Sequence, residues 1–155
     1  MNAVVFAPDE KSFFAGGGNN LIKQYSAETG EEMEDFKGHT DYVTSVAVTC
    51  DGKRLVSGSV DRTIIIWNVK SGYEVRTLEG HPKAACSVAI TPDDENIVPE
   101  SDDKTANVFS MGVGNLLHIF EGHSKTVISV PIHPSGEFLQ RAQTTRRGSY
   151  RGEEQ

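Results

Sequence analysis

The sequence predicts an all-β fold: antiparallel four-stranded units repeated about three times, with part of a fourth after them. Two observations predict it. The first is a fixed period. Gly-His pairs fall at Gly38-His39, Gly80-His81 and Gly122-His123, each 42 residues after the last. An aromatic followed by a small polar residue keeps the same step at Tyr25-Ser26, Trp67-Asn68 and Phe109-Ser110, as do Asn19, Asp61 and Asp103, and Gly30, Gly72 and Gly114. A period of this length marks a repeat architecture. The second observation is the pattern inside each unit, where short alternating runs bounded by turn residues give strand periodicity.

The elements follow in order. AVVFAPDEKSF (3–13) aligns without gaps with SVAVTCDGKRL (45–55), SVAITPDDENI (87–97) and SVPIHPSGEFL (129–139). Val46 and Val48 alternate with Ser45 and Ala47, and Val88 and Ile90 with Ser87 and Ala89. Large on one face and small on the other suits a strand buried on both sides in a tapering stack. CDGK, PDDE and PSGE are turns, with Asp or Ser early and Gly or Asp next. VDRTIIIWN (60–68) is a charged turn running into a β-branched strand and the only tryptophan. The run Gly16-Gly17-Gly18-Asn19-Asn20 lies between two strands and lacks a following Gly-Lys-Ser/Thr, so it is expected to be a turn needing positive φ, not a phosphate loop. Pro99 falls where an interior strand should donate a ladder bond, so that strand should be broken or short. Each unit thus holds about four short strands, one blade of a propeller.

Bulk composition narrows the function. The formal charge of −7 argues against attraction to nucleic acid or anionic lipid. No apolar run reaches the ~20 residues of a membrane helix, and MNAVVFAPDEK lacks the basic start of a secretory signal. Cys50 and Cys86 form no CxxC and no disulfide framework, which suits reduced thiols in a cytoplasmic protein, the nucleus not excluded.

A unit of about 42 residues with Gly-His near its start and an aromatic-polar pair near its end resembles the WD-repeat β-propeller family. The resemblance covers residues 1 to about 139 and is strongest from 38 to 80, with Asn68 where Asp is commonest. It implies WD-type blades of four antiparallel strands in a ring that this chain alone does not close. Residues 1–37 read as a partial first blade, 38–79 as the second, 80–121 as a degenerate third and 122–139 as the start of a fourth. The tail at 140–155 is basic and polar and reads as disordered. The resemblance further implies a hydrogen-bonded structural network of His39, Ser57, Asp61 and Trp67, with His81 and Asp103 kept in the third unit. There Pro99 and Phe109 replace the serine and tryptophan, so donor and acceptor are lost together. Ala15, Asn19 and Tyr25 hold the places in the first unit.

His39, His81 and His123 belong to the repeat, His118 lies on an outer strand and His133 in a turn; the acidic runs Asp93-Asp94-Glu95 and Asp102-Asp103 read as solvated turns. No Gly-x-Ser-x-Gly, His-x-x-x-His or Cys-x-x-Cys is present. The expectation is therefore no enzyme, no cofactor and no metal. Arg146-Arg147-Gly148-Ser149 resembles a basophilic kinase site at Ser149, although such short motifs recur by chance. Partner-binding positions implied by the family are Tyr42, Thr44, Val60, Ala84, Cys86, Asp102, Thr126 and Ile128. The chain is read as a scaffold or adaptor for other proteins, a piece of a larger propeller, with self-association as one way to complete the ring. The alternative is a regulatory or sensor propeller segment of a larger enzyme.

Overall fold

Alternating apolar runs and short turns give twelve strands among the described residues of the computed structural model, which are 2–79, 83–101 and 105–120. The first sheet contains β1 (Ala3–Phe6), β2 (Ser12–Gly16), β3 (Leu21–Ser26) and β4 (Glu32–Lys37). The second contains β5 (Val43–Val48), β6 (Arg54–Ser59), β7 (Thr63–Asn68) and β8 (Glu74–Glu79). The third contains β9 (Ala85–Ile90), β10 (Asn96–Ser101), β11 (Ala106–Ser110) and β12 (Leu116–Phe120). Each is an antiparallel meander in chain order. Residues 3–37, without a Gly-His lead-in, still form all four strands, because that pair would precede β1. The expected fourth unit and tail lie outside the described residues. No helix among those residues is long and apolar enough to cross a membrane.

The turns repeat as the strands do. Asp9, Asp51 and Asp93 each accept the N–H two residues on, from Lys11 (3.0 Å), Lys53 (2.9 Å) and Glu95 (3.0 Å). Glu10, Gly52 and Asp94 then take positive φ at 58°, 70° and 59°. In the next turn positive φ falls on Asn20 (65°) and Arg62 (74°), and on none of Gly16, Gly17 and Gly18. The expected positive-φ turn is therefore present, carried by Asn20 and not by a glycine. The left-handed residue is the asparagine, whose side chain tolerates that region. Gly16 serves close approach instead: a Cβ there would stand 2.6 Å from Val43 Cγ1.

The sheets stack through faces that repeat along the chain. The trailing face of the first sheet (Phe14, Ile22, Phe36) packs on the leading face of the second (Val46, Leu55, Trp67). One period later Val56, Ile64, Ile66 and Leu78 pack on Val88, Ile97 and Phe109. Innermost strands lie side by side, β1 with β5 and β5 with β9. Polar links span the seams: Val43 N–H donates to Gly17 O (3.2 Å) and Val88 N–H to Ser45 Oγ (3.2 Å). The leading face of the first sheet repeats the pattern with Val4, Phe6, Phe13 and Tyr25, and Phe6 is 57% exposed.

Pro99 bears out one half of its expectation, the break, and corrects the other, the shortness. β10 is six residues long, like β6, and is not short. It pairs with β9 through Pro99↔Val88, while its ladder to β11 holds Asn96↔Ser110, Ile97↔Phe109 and Glu100↔Ala106 and passes over 98 and 99. The missing N–H breaks one ladder and leaves the strand standing.

Candidate functional site: a buried hydrogen-bonded chain and the edge above it

The chain in the second sheet begins with strand geometry. Ser57 on β6 lies opposite Ile65, and Trp67 on β7 opposite Leu55, which sets the indole over the serine. Trp67 Nε1–H donates to Ser57 Oγ at 2.8 Å. Ser57 Oγ lies 2.8 Å from His39 Nε2, and His39 Nδ1 lies 2.8 Å from Asp61 Oδ2. Asp61, as an ionised carboxylate, only accepts, so Nδ1 carries the proton, Nε2 accepts from Ser57, and the hydroxyl is left to accept from the indole. Trp67, Ser57 and His39 are buried, and the structure brings all four residues together.

Asp61 also accepts from Thr40 N–H (3.0 Å), Thr63 N–H (2.9 Å) and the Thr63 hydroxyl (2.6 Å). Burial pushes its pKa up, but the hydrogen bonds from Thr63, Thr40 and His39 outweigh burial and hold the carboxyl below its usual range. Sequence reasoning missed Thr63. The signal was present, since Asp-x-Thr is a side-chain-to-backbone turn motif and threonine recurs 42 residues on at Thr105. It also missed Ser59, whose Oγ accepts from Asp61 N–H (3.1 Å) and donates to Asp41 O (3.1 Å). His81 and Asp103 lie outside the described residues.

The edge above this chain is formed where β5 begins and β6 ends. Val60 N–H donates to Tyr42 O (2.9 Å), fixing the two residues side by side, and Tyr42 is 53% and Val60 38% exposed. Thr44 is half-buried, with its hydroxyl within reach of the carbonyls of Gly58 (3.0 Å) and Ala85 (2.5 Å). It ties the second sheet to the third instead of offering a free hydroxyl. Ala84 and Cys86 are half-buried, and Cys86 Sγ lies 3.9 Å from Ala84 O. Asp102, Thr126, Ile128 and Ser149 lie outside the described residues.

The described residues contain no group of three or more His, Cys, Asp or Glu arranged to hold a metal. Cys50 is exposed, its thiol pKa pushed up first by the Asp94 carboxylate and then by burial, which suppresses the reactive thiolate.

The repeats, the four-stranded sheets and the Trp-Ser-His-Asp chain define a propeller of the WD type. The family pattern described as "WD domain, G-beta repeat" matches residues 30–68, 72–110 and 114–139, and the chain belongs to that family. It is 40% identical over 57 residues to "Target of rapamycin complex subunit wat1" of Schizosaccharomyces pombe, covering 36% of this chain and 18% of the relative. It is 36% identical over 53 residues to "THO complex subunit 6" of Drosophila melanogaster, covering 34% of this chain and 15% of the relative. Among solved structures, U3-55K superposes with TM-score 0.78 at 24% identity, over 81% of this chain and 40% of that one. The WD40 repeats of RRP9 give 0.77 at 25%, over 81% and 39%. The chain spans well under half the length of each.

Proposed function

We propose that this chain is a non-catalytic segment of a WD propeller whose task is to hold other proteins against the edge carried by Tyr42 and Val60. The observation that carries this reading is the construction of that edge. An exposed tyrosine and an exposed valine are fixed to each other through the backbone, one turn from a buried hydrogen-bonded chain that locks the same loop. Rigid exposed aromatics lose little entropy on binding and dominate many interfaces. The fold supports the reading in kind, and the curated relatives are by name subunits of complexes. The absence of a CxxC or a disulfide framework in the sequence suits a reducing compartment and supports a cytoplasmic or nuclear setting.

A photo-cross-linking side chain placed at Tyr42 tests it, with the same group at Glu28 on the outer β3–β4 turn as control. Adducts formed in cells from position 42, absent from position 28 and abolished when Val60→Lys is added, support the edge. Equal labelling from both positions contradicts it.

A further inference from the structure

β4, β8 and β12 are the outer strands of their sheets, and each has one edge without a neighbouring strand among the described residues. The repeat makes their positions comparable. Glu32, Glu34 and Asp35 in β4 correspond to Glu74, Arg76 and Thr77 in β8, and to Leu116, His118 and Ile119 in β12. Charged side chains on an outer strand keep foreign strands from pairing with it. In β4 they are also tied down, Lys23 bridging Glu32 (2.7 Å) and Asp35 (3.4 Å). In β8, Arg76 reaches the carbonyls of Val113 and Gly112 in the turn ahead of β12. β12 holds no Asp, Glu, Lys or Arg, and Leu116, Leu117 and Ile119 are 44%, 47% and 52% exposed. A bulge interrupts the outer ladder in all three sheets, so it does not protect β12 in particular.

We propose that β12 is a self-pairing edge. A second copy of this chain adds its own β12 antiparallel about a two-fold axis at His118, joining two four-stranded sheets into one. An interface across a two-fold axis must complement itself. Here Leu117 faces Ile119 of the other copy, Ile119 faces its Leu117, and Leu116 faces Phe120. The same operation on β8 would set Arg76 opposite its own copy, and on β4 Glu34 opposite its own copy. Like charges directly opposite destabilise a strand pair. Of the three outer strands, β12 alone meets the condition, and what it complements is itself. That selects a second copy as the occupant.

Sedimentation velocity over a concentration series tests this on the full chain. The wild type forms a dimer. Ile119→Lys and, separately, Leu117→Lys weaken it at least tenfold with unchanged far-ultraviolet circular dichroism. Thr77→Lys, at the matching place on β8, leaves it intact. If either lysine variant fails to fold, Ile119→Thr, which copies the β8 residue, replaces it and weakens the dimer less steeply. A wild type that stays monomeric at every concentration overturns the proposal. So does a dimer that survives both lysine variants, or one that Phe6→Glu on the first sheet dissolves while Ile119→Lys does not.

Discussion

Trp67 has a single polar side-chain atom, and in its buried place between two sheets that atom donates to Ser57. Trp67→Phe keeps most of the apolar packing against Phe36 but removes the donor and part of the volume. The expected loss is roughly 2–4 kcal/mol, read as a lower urea midpoint at unchanged slope. Unchanged stability would mean that the chain from Trp67 to Asp61 contributes nothing. Asp61 makes the chain sensitive to acid. Its pKa is lower in the folded state than the usual ~3.9. Its contribution is therefore fully present above about pH 4 and is lost as pH falls through the depressed folded value. Asp51 and Asp93 are also depressed, so the test is a difference: the stability gap between wild type and Asp61→Asn should be constant at neutral pH and narrow below about pH 4. A gap that stays constant into acid would contradict it. His39, Ser57, Asp61 and Trp67 were legible through the family resemblance, which the 42-residue period let fall on these positions. Thr63 and Ser59 were less so, because their bonds depend on how the turn folds back, which residue spacing alone does not set.

At the scale of elements, the strands followed from alternation and the seams between them did not. The glycine run does turn at 18–20, yet its first residue, Gly16, is a strand residue that lets β2 sit close to Val43. Gly16→Ala should cost roughly 1–3 kcal/mol by overpacking. Gly18→Ala, where an added Cβ would meet only the Tyr42 ring at ordinary contact distance, should change the melting temperature little. Equal effects at the two sites would refute the assignment. β10 shows the converse limit. Proline in a sequence marks a missing donor, but whether a strand ends there depends on how much its other side holds, and β9 holds Pro99 opposite Val88. The third sheet should accordingly gain nothing from Phe109→Trp. The residue is buried among Ile97 and Val88, and proline stands where an acceptor serine would be needed. A clear rise in melting temperature would show that the indole finds another partner.

At the scale of the molecule, the sheets form a series in which each leading face is covered by the sheet before it, until the series reaches the first. There Phe6, Phe13 and Tyr25 form an aromatic stack across β1, β2 and β3, with centroid distances of 5.7 and 5.3 Å. The corresponding positions of the second sheet include Leu55 and Trp67, both fully buried. The period made this arrangement foreseeable from sequence. It did not reveal that the outer strands differ in charge from sheet to sheet, because that property matters only once the edges are known to be exposed. A docking edge at Tyr42 needs this stack to be rigid, and the only tryptophan sits in the seam beneath it. Acrylamide quenching of Trp67 fluorescence therefore tests the account most directly. Blue-shifted emission, shielded from quencher until the chain is unfolded, is the predicted result. Water-like emission that is freely quenched in the native chain would mean the first two sheets do not pack as described, and the rigid edge would go with them.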